Sequence, residues 1–322
     1  MMIIDDVLKD KKSVAIAGHV RPDGDCVGSC LGLFNYIRKE FPEIEVYVYL
    51  DPIPKTFGFL KSAGNIRRVN TYEDRSFDLF VSLDCGDLSR LGDAAHYFKK
   101  AKHTLCVDHH LSNDSFADMN FVEPEASSTC ELIGNMMRKE AIDADIAACL
   151  YTGMVTDTGV FQYSCTHRST MEFAGFLMDT GIDYSYIVDH VFFEKSIESL
   201  KIMGIAIDKA KQYLDGKVIA SFVTGEDMKR VGAFPRHMEG IVSTLRSVRG
   251  TRVAFFLYEN LDGSYKGSAR AFGDDVNLAE LAAKYGGGGH AKAAGFTVQG
   301  DPESFIEKLV ADVAAIYQEK NV

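Results

Sequence analysis

Gly18-His19-Val20-Arg21-Pro22-Asp23-Gly24-Asp25-Cys26-Val27-Gly28-Ser29 is the stretch whose reading decides the fold. The apolar, β-branched residues 14–17 lead into it and read as a buried strand. Residues 27–39 follow as an amphipathic helix. Pro22 fixes one φ angle and Gly24 relieves another, so the loop between can turn His19, Asp23 and Asp25 the same way. Imidazole and carboxylate converging at the carboxyl end of a strand form a donor set for a divalent transition metal. Taken alone, an Asp-Gly-Asp is more often a solvated turn before a helix cap. The remainder of the chain decides between the two.

Residues 44–50 read as a second strand, and residues 77–83 as a third that runs straight into Asp84. Residues 94–100 look helical, and a fourth strand at 103–107 ends in Asp108-His109-His110. Strands separated by helix-length segments indicate βαβ units, hence a parallel sheet with helices on both faces. Sites in such folds lie at the carboxyl ends of the strands, where three strands of this chain deliver acidic or histidine clusters. Ser127-Ser128-Thr129 with Glu131 offers N-cap chemistry for a helix over 130–138, and a helix over 143–157 ends at Asp157-Thr158-Gly159. Helical pattern continues over 168–179, 184–193 and 196–213. The expected architecture is α/β: a parallel-sheet domain over 1–190, a helical linker over 191–215, and a smaller α/β domain with a mixed sheet over 216–322. That second domain reads as a strand at 217–224, a helix near 237–248, a hairpin of 252–259 with 264–270, a helix at 276–285, a glycine run, a strand at 294–298 and a final helix at 302–320.

With 46 acidic against 35 basic residues and a formal net charge of −11, the chain does not read as a binder of long nucleic acid. A small anionic substrate can still be held by local cations. Residues 1–12 are too acidic for a signal peptide, and no run approaches the roughly 18 apolar residues of a membrane span, so a cytoplasmic location is expected. The seven cysteines all precede residue 166 and show no Cys-x-x-Cys spacing, which predicts reduced, buried thiols rather than a zinc site. Cys26 reads as a small packing residue.

His19, Asp23, Asp25, Asp84, His109 and Asp157 together are a hard-to-borderline donor set that suits Mn²⁺, with Mg²⁺ or Co²⁺ as substitutes. Six such side chains exceed the need of one ion but suit two that share a carboxylate. Two metals about 3.5–4 Å apart can place a hydroxide in line with phosphorus. Asp84 is the natural shared ligand, Asp108 would orient an imidazole, and His110 is left to meet the substrate. Gly286-Gly287-Gly288-Gly289-His290 reads either as a flexible loop or, with Arg270 on a nearby strand, as a phosphate or carboxylate clamp. Arg246 and Arg249 read as a solvated helix face.

Residues 18–29, Ser82-Leu83-Asp84, Asp108-His109-His110 and Thr156-Asp157-Thr158-Gly159 resemble the four motifs of the DHH phosphoesterase superfamily. Residues 268–270 and 286–290 resemble its DHHA1 substrate-binding domain, and the nearest likeness is to stand-alone proteins of the nano-RNase and pAp-phosphatase type. The resemblance implies one Mn²⁺ on His19, Asp23 and Asp84, and a second on Asp25, Asp84, His109 and Asp157. It implies His110, Arg270, Gly287, Gly288 and His290 at the nucleotide, with Asp84, Asp108 and His110 in the catalytic machinery. The implied reaction is hydrolysis of short oligoribonucleotides such as pApA, and of 3′-phosphoadenosine 5′-phosphate to AMP, and a homodimer is compatible with it. Cyclic di-AMP hydrolysis is the enzymatic alternative, and a silent nucleotide-binding sensor the non-enzymatic one. The acidic charge speaks against the long-strand exonucleases that share these motifs.

Overall fold

The structure is a computed structural model and describes residues 3–69 and 75–320 of the chain. It divides into two compact units, Met1–Glu194 and Lys195–Val322.

The first unit is built on the strands β1 (Ser13–Ala17), β2 (Glu45–Tyr49), β3 (Leu79–Leu83), β4 (Thr104–Asp108) and β5 (Met119–Val122). They pair in the order β2-β1-β3-β4-β5, and every pairing is parallel. Alternate residues of β1 and β3 serve two cores. Val14, Ile16, Leu79, Val81 and Leu83 face one that holds Val27, Leu31 and Leu150. Ala15, Ala17 and Phe80 face another with Tyr97 and Phe98. Burial on both faces explains why these strands read as continuous apolar runs. The helices are α1 (Ile4–Leu8), α2 (Gly24–Glu40), α3 (Ala95–Lys100), α4 (Thr129–Met136), α5 (Ala144–Asp157), α6 (Arg168–Asp179) and α7 (Tyr184–Val188). Sheet order reverses between β1 and β3, so the crevice for a ligand opens beyond the carboxyl ends of those two strands.

Gly24, Gly28 and Gly32 recur every fourth residue along α2 and form one stripe against α5. A Cβ on Gly28 would lie 2.4 Å from the carbonyl oxygen of Cys149, and one on Gly24 would lie 2.2 Å from the hydroxyl of Thr156. The two backbones can cross this closely only because side chains are missing there.

Asp78 ties the strand starts together. Its carboxylate accepts the backbone N–H groups of Lys12 (2.8 Å) and Ser13 (3.2 Å) and the ammonium of Lys102 (2.8 Å). Lys102 first, then the Lys12 amide, hold its carboxyl down at about 2. The folded value lies below the unfolded one near 4, so this contribution is present above pH ~4 and is lost as pH falls toward 2. Asp78→Asn is therefore expected to cost about 1–2 kcal/mol at pH 7 and less near pH 2.5, measured by urea denaturation at both pH values. An unchanged midpoint at pH 7 would remove Asp78 as a tie.

The second unit runs α8 (Ile197–Asp208), β6 (Lys211–Tyr213), β7 (Val218–Val223), α9 (Gly225–Val231), α10 (Ile241–Arg246), β8 (Val253–Glu259), β9 (Tyr265–Ala271), α11 (Leu278–Ala283), β10 (Gly288–His290), β11 (Ala293–Val298) and α12 (Pro302–Lys320). Its sheet has the order β10-β11-β9-β8-β7-β6 and is mixed: β7 and β8 are parallel, the other pairs antiparallel. Several local expectations differ. The expected linker helix stops at Asp208, and residues 211–213 pair with β7 instead. Glycines 288 and 289 are paired strand rather than free loop. Strand β5 and helices α1 and α9 had no counterpart in the expected elements. All seven cysteines are free, six of them buried.

Candidate metal centre

Asp23 caps α2 by accepting the Cys26 N–H at 3.2 Å, which places Asp25 in the first helical turn rather than in the loop. Asp25 is buried, and its carboxylate accepts the N–H groups of Thr129 (2.7 Å) and Cys130 (2.8 Å) at the start of α4. Asp84 follows the last residue of β3 with φ +54°. Left-handed backbone at a non-glycine residue is uncommon, is best tolerated by Asp and Asn, and tends to persist where function requires it. Helix α5 ends at Asp157, and the next turn carries three consecutive left-handed residues, Gly159, Val160 and Phe161. For a β-branched valine this is a strained conformation.

These elements bring all six predicted ligands together. Nε2 of His19 lies 3.4 Å from Oδ2 of Asp84 and 3.6 Å from Oδ1 of Asp23. Nε2 of His109 lies 3.2 Å from Asp157, 3.7 Å from Oδ1 of Asp84 and 3.8 Å from Asp25. Asp84 thus turns one carboxylate oxygen to each histidine, while Thr129 donates its hydroxyl to Oδ1 at 3.3 Å. Nδ1 of His19 donates to the Val20 carbonyl, and Nδ1 of His109 to that of Ala126. Both rings therefore present the opposite nitrogen to the carboxylates, as metal-ligating histidines do.

The donor set fits divalent cations on three grounds. Most of the nitrogen–oxygen separations exceed those of N–H···O hydrogen bonds, yet the atoms face each other. The negative charge is also in excess. Burial, then Asp84 and Asp157, raises the Asp25 carboxyl well above its ordinary range, and burial pushes Asp157 up to about 7. Burial works against charge on His19, but Asp23 and Asp84 outweigh it and push the ring up to about 11, so positive charge is favoured at that point. A cation there relieves both strains. Finally, the donors are nitrogen and carboxylate oxygen. Cys26 lies within 4.8 Å of His19 and Asp84, but burial drives its thiol well upward, so it remains protonated and packs under Gly18.

Asp108 is fully buried and does not join the six. It accepts Nδ1–H of His110 at 2.7 Å and the Asn113 amide at 2.7 Å. Despite burial, those two partners hold its carboxyl below the usual range, and Asp108 in turn raises His110. The result is a half-exposed imidazole whose positive form is favoured beside Asp84, with its Nδ1 3.6 Å from Oδ1. Sequence reasoning missed Thr129 and the amide N–H groups of residues 129 and 130. The Ser127-Ser128-Thr129 cap was the signal, since a cap cluster near a strand end can also serve an acidic neighbour. Here Ser128 caps α4, and the carboxylate of buried Glu131 accepts the hydroxyl groups of Ser127 and Thr170.

In the second unit, antiparallel register aligns His290 with Ala293, Ala293 with Arg270, and Arg270 with Ala254. Directly paired residues share a sheet face, so His290 and Arg270 stand on one face about 10 Å apart with a small residue between. The glycines divide by role. A Cβ on Gly287 would lie 2.2 Å from the Gly295 carbonyl oxygen, whereas one on Gly288 meets nothing within 4 Å. Gly287→Ala is expected to lower the urea denaturation midpoint, and Gly288→Ala to leave it in place. Equal midpoints for the two variants would remove the close approach at Gly287 as a structural requirement.

Residues 13–154 match the DHH family N-terminal domain, and residues 215–319 match the DHHA1 domain. The bifunctional oligoribonuclease and PAP phosphatase NrnA of Bacillus subtilis is 27% identical over 312 residues, which span 95% of each chain. The protein of the same name from Thermus thermophilus is 29% identical, over 97% of this chain and 93% of its own. A crystal structure of an exopolyphosphatase-related protein from Bacteroides fragilis superposes with TM-score 0.88 at 27% identity, over 98% of this chain and 95% of that one.

Proposed function

The chain belongs to the DHH family, with a DHHA1 domain after the DHH domain, and on that premise we propose that it is a metal-dependent phosphoesterase that hydrolyses short oligoribonucleotides to mononucleotides and 3′-phosphoadenosine 5′-phosphate to AMP. Two full-length relatives that carry both activities in their names support the substrate class. The observation that carries the reading is Asp84, whose two oxygens face His19 on one side and His109 on the other.

His19, Asp23 and Asp84 would hold one cation, and Asp25, Asp84, His109 and Asp157 the other, with Mn²⁺ as the proposed metal. Such a pair supplies a nucleophile at neutral pH and neutralises charge on the phosphoryl oxygens. The side chains do the rest. Thr129 and Cys130 fix Asp25, so its carboxylate needs no reorganisation when substrate arrives. Asp108 fixes the His110 ring and favours its positive form, in which Nε2–H would donate to a phosphoryl oxygen as negative charge grows there. Arg270, Gly287, Gly288 and His290 of the second unit are proposed to contact the nucleotide, with Arg270 as the anion ligand.

The test is a product chromatogram of the purified chain with Mn²⁺ and with a chelator. The substrates are pApA, a five-nucleotide RNA, 3′-phosphoadenosine 5′-phosphate and cyclic di-AMP. AMP from pApA and from 3′-phosphoadenosine 5′-phosphate and mononucleotides from the RNA, with the cyclic compound intact, support the proposal. Preferential opening of cyclic di-AMP would replace it with a signalling phosphodiesterase, and hydrolysis of none would overturn it.

A further inference from the structure

We infer that the second unit carries a separate stacking subsite for a further nucleotide of a single-stranded RNA, formed by Phe272, Arg246, Arg252 and Thr251. The inference rests on the proposed substrate class.

Phe272 follows β9, and its N–H still donates to the Arg252 carbonyl at 2.8 Å, which extends the β8–β9 ladder by one pair. Arg252 is therefore the cross-strand neighbour of Phe272, just as Ala254 is of Arg270. Side chains two apart on a strand share a face, so Phe272 stands on the face that carries Arg270 and His290. The same face packs against α10, whose last residue is Arg246. The guanidinium carbons of Arg246 and Arg252 lie 5.9 and 5.7 Å from the Phe272 ring centroid. Together with Ser247, Gly250 and Thr251 they line an open cleft of about 470 Å³.

Phe272 is 56% exposed, an unusual position for a large apolar ring between two arginines in a chain of net charge −11. Thr251 is only 6% exposed, and its hydroxyl has no hydrogen-bond partner among the described residues. A buried hydroxyl without a partner is costly unless a ligand supplies one. An aromatic platform for a base, flanked by guanidinium groups for phosphate, is how proteins hold single-stranded nucleic acid without reading its sequence. Asp275 pairs with Arg252 at 3.5 Å and keeps that guanidinium oriented, leaving Arg246 as the principal phosphate ligand. Arg246 thus meets the cleft, contrary to the solvated helix face expected of it. Arg249 does not line the cleft.

The experiment measures binding apart from catalysis. Anisotropy of a labelled five-nucleotide RNA is recorded in chelator for the full chain and for Phe272→Ala, Arg246→Ala and Arg249→Ala, and each protein is also assayed with Mn²⁺ on the same RNA and on 3′-phosphoadenosine 5′-phosphate. Loss of a stacking aromatic should raise the Kd for RNA about tenfold. The Phe272 and Arg246 variants should show that loss, with KM for the RNA rising far more than KM for the bisphosphate, and Arg249→Ala should shift Kd less than about twofold. Equal weakening by Arg249→Ala, or equal KM shifts on both substrates, would overturn the subsite. So would unchanged RNA binding in the Phe272 variant, even with hydrolysis intact. If the unaltered chain binds RNA through Phe272 but hydrolyses neither substrate, the subsite stands and the proposed reaction falls.

Discussion

Asp84→Ala is expected to lower turnover by about 10³-fold or more, a loss of ~4 kcal/mol in transition-state stabilisation. The size follows from where the carboxylate stands. One oxygen faces His19 at 3.4 Å, and the other faces His109 at 3.7 Å and His110 at 3.6 Å, so one truncation removes a donor from both proposed cations. The residue is 2% exposed, and no other carboxylate of the group is placed between the two histidines in this way. Asp84→Asn separates charge from shape. Asparagine tolerates the left-handed backbone at this position, so the variant should fold like the parent and still lose most activity. Calorimetric titration with Mn²⁺ reads the metal directly: both variants should lose affinity for two ions together. A kcat near the parent's in Asp84→Ala would refute the shared-ligand role, and loss of one ion alone would assign the residue to a single metal.

The candidate centre was legible in the sequence because its ligands sit where secondary structure ends. Strands buried on both faces produce apolar runs, and the abrupt change to Asp84 or to Asp108-His109-His110 marks their carboxyl ends. What escaped has physical causes. Strand β5 is four half-buried residues at the sheet edge, with neither alternation nor a continuous apolar run. The last turn expected of α8 is the edge strand β6, whose pairing with β7 is a tertiary choice that local pattern does not encode. Backbone donors are invisible to any reading of side chains, so the Thr129 and Cys130 amides beneath Asp25 could emerge only from the packing of α4 against α2. The glycines of α2 were legible only in part. Gly24 was assigned to the loop, yet it belongs to a stripe whose spacing matters as much as its flexibility.

That stripe yields the second large effect, in Gly28→Ala. In most helices this change would stabilise, since alanine exceeds glycine in helix propensity by roughly 1 kcal/mol. Here the new methyl would lie 2.4 Å from the Cys149 carbonyl oxygen and 3.1 Å from the Gly153 nitrogen. Both are backbone atoms of α5 and cannot rotate away, so the helices must separate. Overpacking of this kind costs about 1–3 kcal/mol and outweighs the propensity gain. Activity should fall further than stability, because α2 carries Asp25 and α5 carries Asp157, and their distances to His109 are set by this crossing. Gly32→Ala is the internal comparison. Its methyl would meet a terminal carbon of Leu150 at 2.9 Å, a flexible side chain that can turn aside. That variant should unfold within about 1 kcal/mol of the parent and keep its metals. Urea denaturation and Mn²⁺ titration of both variants decide the matter. If Gly28→Ala is as stable as Gly32→Ala and binds metal equally well, the close crossing is not what holds Asp25 and Asp157 together. If it folds but loses the ion facing His109, the glycine stripe is part of the metal centre's construction, although none of its residues touches a metal.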